Sequence, residues 1–516
     1  MRRSAVKRSV LLFLLLVTLS LACAAQDLAS FEKRVTVRTL PNGLTVVMMR
    51  RAEAPVFSFE IMVDAGSAQD PKGLSGLAHM FEHMAFKGTP TIGTKDFAKE
   101  KPLLEQLEKA YAEYDYERRK IVGRDPKKIE ELEKNWRAIA KEADQFVIPN
   151  EFAQIIESHG GEGLNASTFE DQTTYFYSLP TNELELWAFL ESERFLHPVY
   201  REFYKERDVV LEERRMRVDS RPIGRLIEQI DATAFVAHPY KTSGVGWPSE
   251  ISSVTATEAA DFFKTYYTPS NMVLSIVGDI DVDKTYDLIN RYFGRLPAGR
   301  KAPDLRTIEP KQTAERRVTI REEGGQPWYV EGYHRPAYNN PDDAVYDAIS
   351  DIMSNGRVSR LDRSLVRDQQ IALFAGGESG FPGSKYPHLF IFYAVPNRGK
   401  NNEQLAAAFL KEIDRIRTQD VTDDELKMFK TRARASLLRS LDDNAGLAGN
   451  LATFQMRFGD WRELFKQLDR IDKVTKADIR RVAQATFVPS NRTVGTIDTA
   501  RVAKPAPANP QQQESK

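Results

Sequence analysis

His79, Glu82 and His83 are the residues of this 516-residue chain whose types and spacing could do chemistry. On an α-helix, His79 and His83 would lie one turn apart on the same face. Two imidazoles could then bind one divalent cation, while the Glu82 carboxylate reaches a water molecule on that cation. This is the arrangement of a zinc hydrolase. The alternative is a pair of ordinary helical histidines that satisfy the backbone or solvent.

The segments before and across this motif predict an antiparallel sheet followed by a helix. The run VTVRTLPNGLTVVMM (35–49) contains two β-rich stretches around the turn Pro41-Asn42-Gly43, and VFSFEIMV (56–63) adds a third strand. A helical pattern then covers about 74–86 and carries both histidines.

A highly charged stretch at about 96–148 separates this helix from the rest of the first half. Apolar residues recur in it at helical spacing, and Gly123 and Pro126 interrupt the pattern, which predicts a helical hairpin. The hairpin could be a solvent-exposed decoration or a gate for substrate, since a charged helical face fits both.

An internal repeat indicates a duplicated domain. Residues 254–281 align without a gap with residues 474–500, and Pro269-Ser270-Asn271 in the first copy matches Pro489-Ser490-Asn491 in the second. Each copy reads as a helix, a turn and a strand at one constant offset. The sequence therefore predicts an α+β fold of two homologous domains, each a mostly antiparallel sheet with helices on one face, and the hairpin inserted in the first.

The repeat and the local composition predict where the domains begin and end. The N-terminal domain with the H-x-x-E-H motif is expected at 26–298, and a charged linker with prolines at 299–315. The C-terminal domain, expected at 316–500, has no second copy of the motif and would be non-catalytic. The low-complexity segment at 501–516 is predicted to be a disordered tail.

Residues 1–25 predict an export signal, because a basic start is followed by an apolar core from Val10 to about Ala22 and then by small residues. We therefore expect a periplasmic protein. Cys23 is the only cysteine and could carry a lipid anchor, although Ser20 stands where lipoprotein signals usually have leucine. Membrane association is expected only if Cys23 is lipidated. Equal numbers of acidic and basic residues give no reason to expect nucleic acid as a partner.

Four segments in order along the chain resemble the inverzincin peptidases of the pitrilysin, insulysin and mitochondrial processing peptidase type, whose hallmark is H-x-x-E-H. They are GLAHMFEHMAFKGT (76–89), GGEGLNASTFEDQTTYFY (160–177), ERDVVLEERRM (206–216) and NGRVSRLDRSLVRDQQIA (355–372). The resemblance covers nearly the whole chain after the signal and is to the short, two-domain bacterial type. It implies a zinc-dependent endopeptidase that hydrolyses peptides or unfolded segments inside a closed chamber.

A catalytic zinc ion usually has three protein ligands and one open position, so one ligand must lie outside the motif. The resemblance implies Glu213 as that ligand and Glu206 as an acidic residue that supports the site. A spacing of seven puts these two on one helical face, whereas Glu212 points about 100° away. Without the resemblance, a solvated acidic face would be the better interpretation of this helix. Two imidazoles and one carboxylate suit zinc, and one Zn²⁺ per chain is expected.

The resemblance also implies roles for residues around the ion. Glu82 would be the catalytic residue that takes a proton from water and delivers it to the leaving amine. Asn165 and Ala166 match a strand whose open edge pairs with an extended peptide, and Phe86 matches an apolar wall near the cleaved bond. An ordinary edge strand and a core phenylalanine are the alternatives.

The partner expected from the resemblance is another chain of the same type. Relatives enclose peptide between four such domains and this chain has two, which implies a homodimer or a heterodimer with a related subunit that lacks zinc ligands. The alternative function is a non-catalytic or partner-dependent subunit of a peptidase complex, and the intact motif favours the enzyme. The chain departs from the family in its longer interval between His83 and Glu213, for which the hairpin accounts.

Overall fold

The computed structural model describes residues 31–500. The predicted export signal with Cys23 and the predicted tail lie outside the described residues. Within the described range, every helix is too short or too polar to cross a membrane.

The first sheet has six strands in the order β1-β2-β6-β3-β5-β4. Only the β2 and β6 pair is parallel, so the prediction of a mostly antiparallel sheet is confirmed. At one edge β4 pairs with β5 alone, and its other side is open within the described part of the chain. The strands are β1 (Val35–Thr39), β2 (Thr45–Arg50), β3 (Val56–Val63), β4 (Glu162–Thr168), β5 (Thr173–Pro180) and β6 (Met272–Gly278).

The helices of the first half include the one that carries the H-x-x-E-H motif and the two of the predicted hairpin. They are α1 (Leu77–Met84), α2 (Phe97–Arg119), α3 (Pro126–Ala143), α4 (Glu151–Ser158), α5 (Leu184–Leu196), α6 (Phe203–Arg214), α7 (Pro222–Ala234), α8 (Pro248–Ile251), α9 (Ala256–Tyr266) and α10 (Val282–Phe293). The hairpin is α2 and α3, and the carboxylate of Asp125 caps the start of α3 by accepting from two backbone N–H groups.

The hairpin packs against α6 and is therefore more than a solvent-exposed decoration. The ring of Tyr111 on α2 stacks on the ring of Tyr204 on α6 with a centroid distance of 3.9 Å. The Tyr204 hydroxyl donates to Glu108 of α2 at 2.6 Å. The buried guanidinium of Arg201, just before α6, donates to Glu100 at the start of α2 at 2.8 Å. These contacts make the hairpin a support for α6, the helix that carries Glu206 and Glu213.

The second sheet has five strands in the order β7-β11-β8-β10-β9. Its strands are β7 (Arg316–Glu323), β8 (Trp328–Arg335), β9 (Ala372–Phe381), β10 (His388–Pro396) and β11 (Arg492–Ala500). The helices of this half are α11 (Asp343–Ser354), α12 (Asn402–Thr418), α13 (Asp423–Ser440), α14 (Asn444–Phe458), α15 (Glu463–Lys473) and α16 (Lys476–Thr486). Residues 299–315 connect the two halves and contain neither helix nor strand.

The internal repeat forms the same hydrogen bonds in both halves. The Asn271 side-chain amide donates to the carbonyl oxygen of Tyr266, five residues earlier, at 2.9 Å. The Asn491 side-chain amide donates to the carbonyl oxygen of Thr486, also five residues earlier, at 2.9 Å. Each asparagine precedes a strand that has one parallel neighbour: β6 beside β2, and β11 beside β7. The shared geometry confirms two related folds in one chain.

In each half of the chain, the helices of that half pack on one face of its sheet. A helix from the other half packs on the opposite face. Helix α7 of the first half packs on the second sheet, and α14 of the second half packs on the first sheet. The contact of α7 with the second sheet buries Leu226, Ile230, Val330 and Ile497. The contact of α14 with the first sheet buries Leu447, Leu451, Val47 and Val273. Separating the halves would expose apolar surface on both sheets, so we expect them to fold as one unit.

Glu60 on β3 lies under α14 and makes stability depend on pH. Burial alone raises its pKa to about 7 from 4.5, and a Cβ added at Gly449 of α14 would lie 2.7 Å from its Oε2 atom. The folded chain therefore holds this proton more tightly than the unfolded chain does. Stability should fall as pH rises from about 4.5 to about 7, by at most about 3 kcal/mol.

We expect Glu60→Gln to remove this loss. The variant should match the parent chain in free energy of unfolding at pH 4.5 and exceed it by up to about 3 kcal/mol at pH 8. Urea unfolding at both pH values measures the difference. Glu105→Gln, at a side chain that is 62% exposed, is the control and should change little at either pH. A Glu60→Gln variant that tracks the parent chain at both pH values would contradict this assignment.

Candidate metal centre

The start of α1 is fixed by one carboxyl group and one glycine. The Asp70 carboxyl accepts from the backbone N–H groups of Gly76 at 2.7 Å and Ala78 at 2.8 Å, and burial raises its pKa to about 8. Gly76 has a φ of 87°, and a Cβ there would come within 2.4 Å of the carbonyl oxygen of Val245. Only glycine fits this position, and the helix that follows begins in one orientation.

Helix α1 has an apolar face in the core and a polar face on a cavity. Leu77, Met80, Phe81 and Met84 are buried in the first core. The other face presents His79, Glu82 and His83 to a cavity of about 1070 Å³. The 3.6-residue period of the helix thus separates the packing residues from the residues that could do chemistry.

Helix α6 brings two carboxylates next to the histidines: Glu213 borders the cavity of about 1070 Å³, and Glu206 borders a separate, smaller cavity. Glu206 lies in its first turn and Glu213 in its last turn, and the backbone continues as a π-helical turn over Arg215–Asp219. Glu212 points elsewhere: its carboxylate pairs with Arg215 at 2.5 and 2.7 Å and is half exposed.

Three side-chain atoms converge between α1 and α6. The Oε2 atom of Glu213 lies 3.6 Å from Nε2 of His79 and 3.4 Å from Nε2 of His83. All three ligand atoms lie within 4.8 Å of one another. The second Glu213 oxygen, Oε1, is 2.9 Å from the guanidinium of Arg217, which leaves Oε2 for a ligand between the helices.

The donor set fits a zinc ion. Zinc bonds of about 2.0–2.2 Å at tetrahedral angles put ligand atoms roughly 3.4 Å apart, close to the two separations between Glu213 and the histidines. A direct hydrogen bond between an imidazole and a carboxylate would be shorter, at about 2.7–3.2 Å. Two imidazole nitrogens and one carboxylate oxygen are also the ligand types that zinc takes in hydrolases.

The two histidines have different electrostatic surroundings. Burial and the neighbouring His83 lower the pKa of His79 to about 4, so its imidazole is neutral at pH 7. Burial opposes charging of His83, but the carboxylates of Glu206, Glu82 and Glu213 outweigh it and raise the pKa of His83. A neutral imidazole has the free lone pair that a metal ligand needs.

Glu206 contacts the ring nitrogen of His83 that faces away from Glu213. Its Oε2 atom is 3.4 Å from Nδ1 of His83, and its Oε1 atom pairs with the ammonium of Lys87. Lys87 also pairs with Glu202 at 3.0 Å, so one cation sits between two carboxylates of α6. Such a carboxylate behind a ligating histidine fixes the ring orientation and tautomer. The structure thus places Glu206 where it would support the histidine and leave the metal position to Glu213.

We expect Lys87→Met to weaken zinc binding by about 10–100-fold, the usual cost of losing a group behind a metal ligand. Without the ammonium, Glu206 would lose the cation that lies between it and Glu202, and it would leave Nδ1 of His83. Lys205→Met is the matched control, because Lys205 pairs with Glu202 at 2.5 Å and is 64% exposed. Competition with a chromophoric chelator measures both affinities. Equal zinc affinities in the two variants would show that Lys87 does not hold the site.

Glu82 lies beside Thr168, the last residue of β4. Burial raises the pKa of Glu82 above 4.5, and the polar groups of Thr168 partly offset this rise. Glu82 borders the same cavity as His79, His83 and Glu213. The carboxylate is therefore beside the point where the three ligand atoms converge, and it is not one of those three.

The three predicted substrate-binding residues lie at two different cavities. Asn165 and Ala166 are on β4 and border the large cavity together with His79 and Glu82. Phe86 borders a separate cavity of about 290 Å³, which also contacts Glu82 and His83. The Phe86 ring packs edge-on against Phe152 at 6.3 Å.

Sequence reasoning missed Lys87, Thr168 and Arg217 as members of the site. Lys87 and Arg217 each follow a predicted ligand by four residues, and this spacing is a signal that could have identified them. Thr168 lies far from Glu82 in sequence, and no spacing connects the two.

Comparison with known protein families agrees with this geometry. Residues 45–116, which include H-x-x-E-H, match the family model "Insulinase (Peptidase family M16)". Residues 253–433 match the model "Peptidase M16 inactive domain" and contain no second motif of this kind. Both halves of the chain therefore match peptidase family M16, the first half as its motif-bearing part and the second half as its inactive domain.

Relatives of similar length exist among named M16 proteins. Zinc protease PqqE of Helicobacter pylori is 28% identical over 500 residues, which cover 96% of this chain and 99% of the relative. The mitochondrial-processing peptidase subunit beta of Saccharomyces cerevisiae is 22% identical over 480 residues, 89% of each chain. The crystal structure of a protease from Helicobacter pylori is similar with a TM-score of 0.75 and 25% identity, over 90% of this chain and 99% of that one.

Proposed function

We propose that this M16 chain is a zinc-dependent endopeptidase. The observation that carries the proposal is the convergence of His79, His83 and Glu213 beside the carboxylate of Glu82. The relatives named zinc proteases support the same assignment.

The chemistry follows from the positions of the side chains. His79, His83 and Glu213 would hold the ion. When bound, zinc supplies a Lewis acid that polarises the scissile carbonyl and acidifies a water molecule. Glu82 would accept a proton from that water and deliver it to the leaving amine. Thr168, whose polar groups interact with Glu82, would favour the charged carboxylate that accepts the proton.

The substrate would bind as an added strand. Among residues 31–500, no strand pairs with the outer side of β4, and β4 ends at Thr168, next to the catalytic carboxylate. An extended peptide could pair with Asn165 and Ala166 and place one of its carbonyl groups near the ion. Peptides and unfolded segments have the free backbone that such pairing requires, and folded proteins do not.

We further propose that the working enzyme is a pair of chains. A second chain would enclose the cavity of about 1070 Å³ that His79, His83 and Glu213 border. The name of the yeast relative, a subunit of a processing peptidase, supports pairing with the same or a related chain. We also keep the proposal of export to the periplasm, on the basis of residues 1–25, with anchoring only if Cys23 is lipidated.

The second candidate function is a non-catalytic or partner-dependent subunit. The match of residues 253–433 to an inactive domain and the subunit name of the yeast relative favour it. A non-catalytic subunit would not need three metal ligands to converge beside a further carboxylate such as that of Glu82.

Native mass measurement combined with metal analysis and a quenched-peptide assay tests the proposal. We expect two chains per particle, one zinc per chain, and cleavage of unstructured peptides that stops on chelation and returns with zinc. Zinc retained without cleavage, even after addition of a related M16 subunit, would favour the non-catalytic function. A chain that binds no zinc would overturn both the metal site and the peptidase assignment.

A further inference from the structure

The end of the helical hairpin exposes apolar side chains. We define the hairpin tip as residues 115–128, which are the last turn of α2, the connecting loop and the first residues of α3. Ile121 is 98% exposed, Val122 is 88% exposed and Tyr116 is 71% exposed. Single exposed apolar residues are common on surfaces, whereas here two adjacent ones are almost fully exposed in one loop.

The acidic and the basic side chains of the hairpin tip differ in their exposure to solvent. It has six basic and three acidic side chains. The acidic ones are turned inward or occupied: Asp115 and Glu117 are 8% and 2% exposed within ion pairs, and Asp125 caps α3. Their ion-pair partners Arg119 and Lys128 are more exposed, at 49% and 55%. The outward surface of the tip is therefore cationic.

Hydrogen bonds to neighbouring backbone groups hold the hairpin tip in place. Arg118 donates to the carbonyl oxygen of Ser252 at 3.4 Å, and Arg119 donates to that of Ser253 at 3.0 Å. The Lys120 ammonium lies 5.2 Å from the centre of the Tyr116 ring. These contacts fix the last turn of α2, so Ile121 and Val122 are presented outward from a rigid base.

We propose that the hairpin tip docks on an anionic lipid bilayer. Ile121 and Val122 would enter the boundary between headgroups and acyl chains, while Arg119, Arg124 and Lys127 would contact lipid phosphates. The combination of a small apolar wedge and a ring of basic groups is complementary to such a surface.

A protein partner fits the hairpin tip less well. A stable protein interface buries roughly 1,200–2,000 Å² with matching shapes, and a convex loop with two apolar side chains cannot supply that area. A bilayer accepts a small wedge without a complementary pocket. The attraction of an anionic bilayer for each basic side chain of the loop also adds to the binding free energy.

Vesicle flotation tests the proposal with the chain from residue 26 onward, which contains every described residue and lacks Cys23. We expect it to float with phosphatidylcholine vesicles that contain phosphatidylglycerol, to stay behind with phosphatidylcholine alone, and to be released by salt. The double variant Ile121→Ser, Val122→Ser should lower binding by about 10-fold. Arg124→Gln with Lys127→Gln should lower it similarly.

The matched control is Ile308→Ser, which removes an apolar side chain that is 80% exposed and far from the tip in sequence. It should bind vesicles as the parent chain does, and all variants should keep the same peptide cleavage and circular dichroism. Absence of binding to anionic vesicles would overturn the proposal, as would binding that the tip variants leave unchanged. Self-association that the tip variants abolish, without vesicle binding, would instead assign the tip to contact with a second copy.

Discussion

Glu82→Gln is expected to lower kcat for peptide cleavage by about 10²–10⁴-fold, the usual contribution of general acid–base catalysis. An amide cannot accept the proton of the attacking water, yet it has nearly the same size as the carboxylate. Its oxygen can still interact with the polar groups of Thr168 beside it. Because Glu82 is not among the three converging ligand atoms, the zinc content should stay at one per chain.

The measurement combines a quenched-peptide assay with metal analysis of the same protein sample. Glu157→Gln, at an exposed position on α4, is the control for the loss of one carboxylate and should keep the parent rate. Loss of both activity and zinc in Glu82→Gln would place Glu82 among the ligands. Full activity in Glu82→Gln would remove it from the mechanism.

The local part of the site could be predicted from the sequence because its geometry is set by one helix. His79, Glu82 and His83 are three and four residues apart, and any helix through them gives the same relative placement. The polar face of α1 follows from the apolar positions that alternate with it. The duplicated domain was also predictable, since its repeat is collinear and has the same turn residues.

The third ligand could not be found from spacing alone. Glu206, Glu212 and Glu213 all lie on one helix, and ideal geometry separated only Glu212 from the other two. The resemblance to a family selected Glu213. The structure adds the physical difference: Glu206 faces Nδ1 of His83 next to Lys87, whereas Glu213 faces Nε2 of both histidines.

Sequence periodicity could not predict contacts between segments that lie far apart in the sequence. Helices α7 and α14 lie outside the aligned repeat, and their sequences do not say which sheet each one covers. Each covers the sheet of the other half. The charged hairpin was interpreted as a decoration or a gate. The structure adds that the hairpin packs on α6, because Tyr111 stacks on Tyr204, and that Glu100 pairs with Arg201 just before α6.

Glu213→Gln should weaken zinc binding by more than about 100-fold, since loss of a group behind a ligand already costs 10–100-fold. The amide removes the negative charge that would complete the donor set of two imidazoles and one carboxylate. It also breaks the pair with Arg217, which is 65% exposed and contributes little to stability. The metal-free variant should therefore unfold at nearly the same temperature as the metal-free parent chain, and cleavage should fall with zinc occupancy.

Glu212→Gln is the matched control, one residue away on the same helix and bordering the same cavity. Its carboxylate pairs with Arg215 and is half exposed, so its loss should leave zinc affinity within about 2-fold of the parent value, as expected for an exposed ion pair. Chelator competition and cleavage at saturating zinc separate the two variants. If Glu213→Gln kept the parent zinc affinity, or if Glu212→Gln lost it, the carboxylate ligand would be misassigned. The convergence of Glu213 with His79 and His83 would then be only a packing contact between α1 and α6.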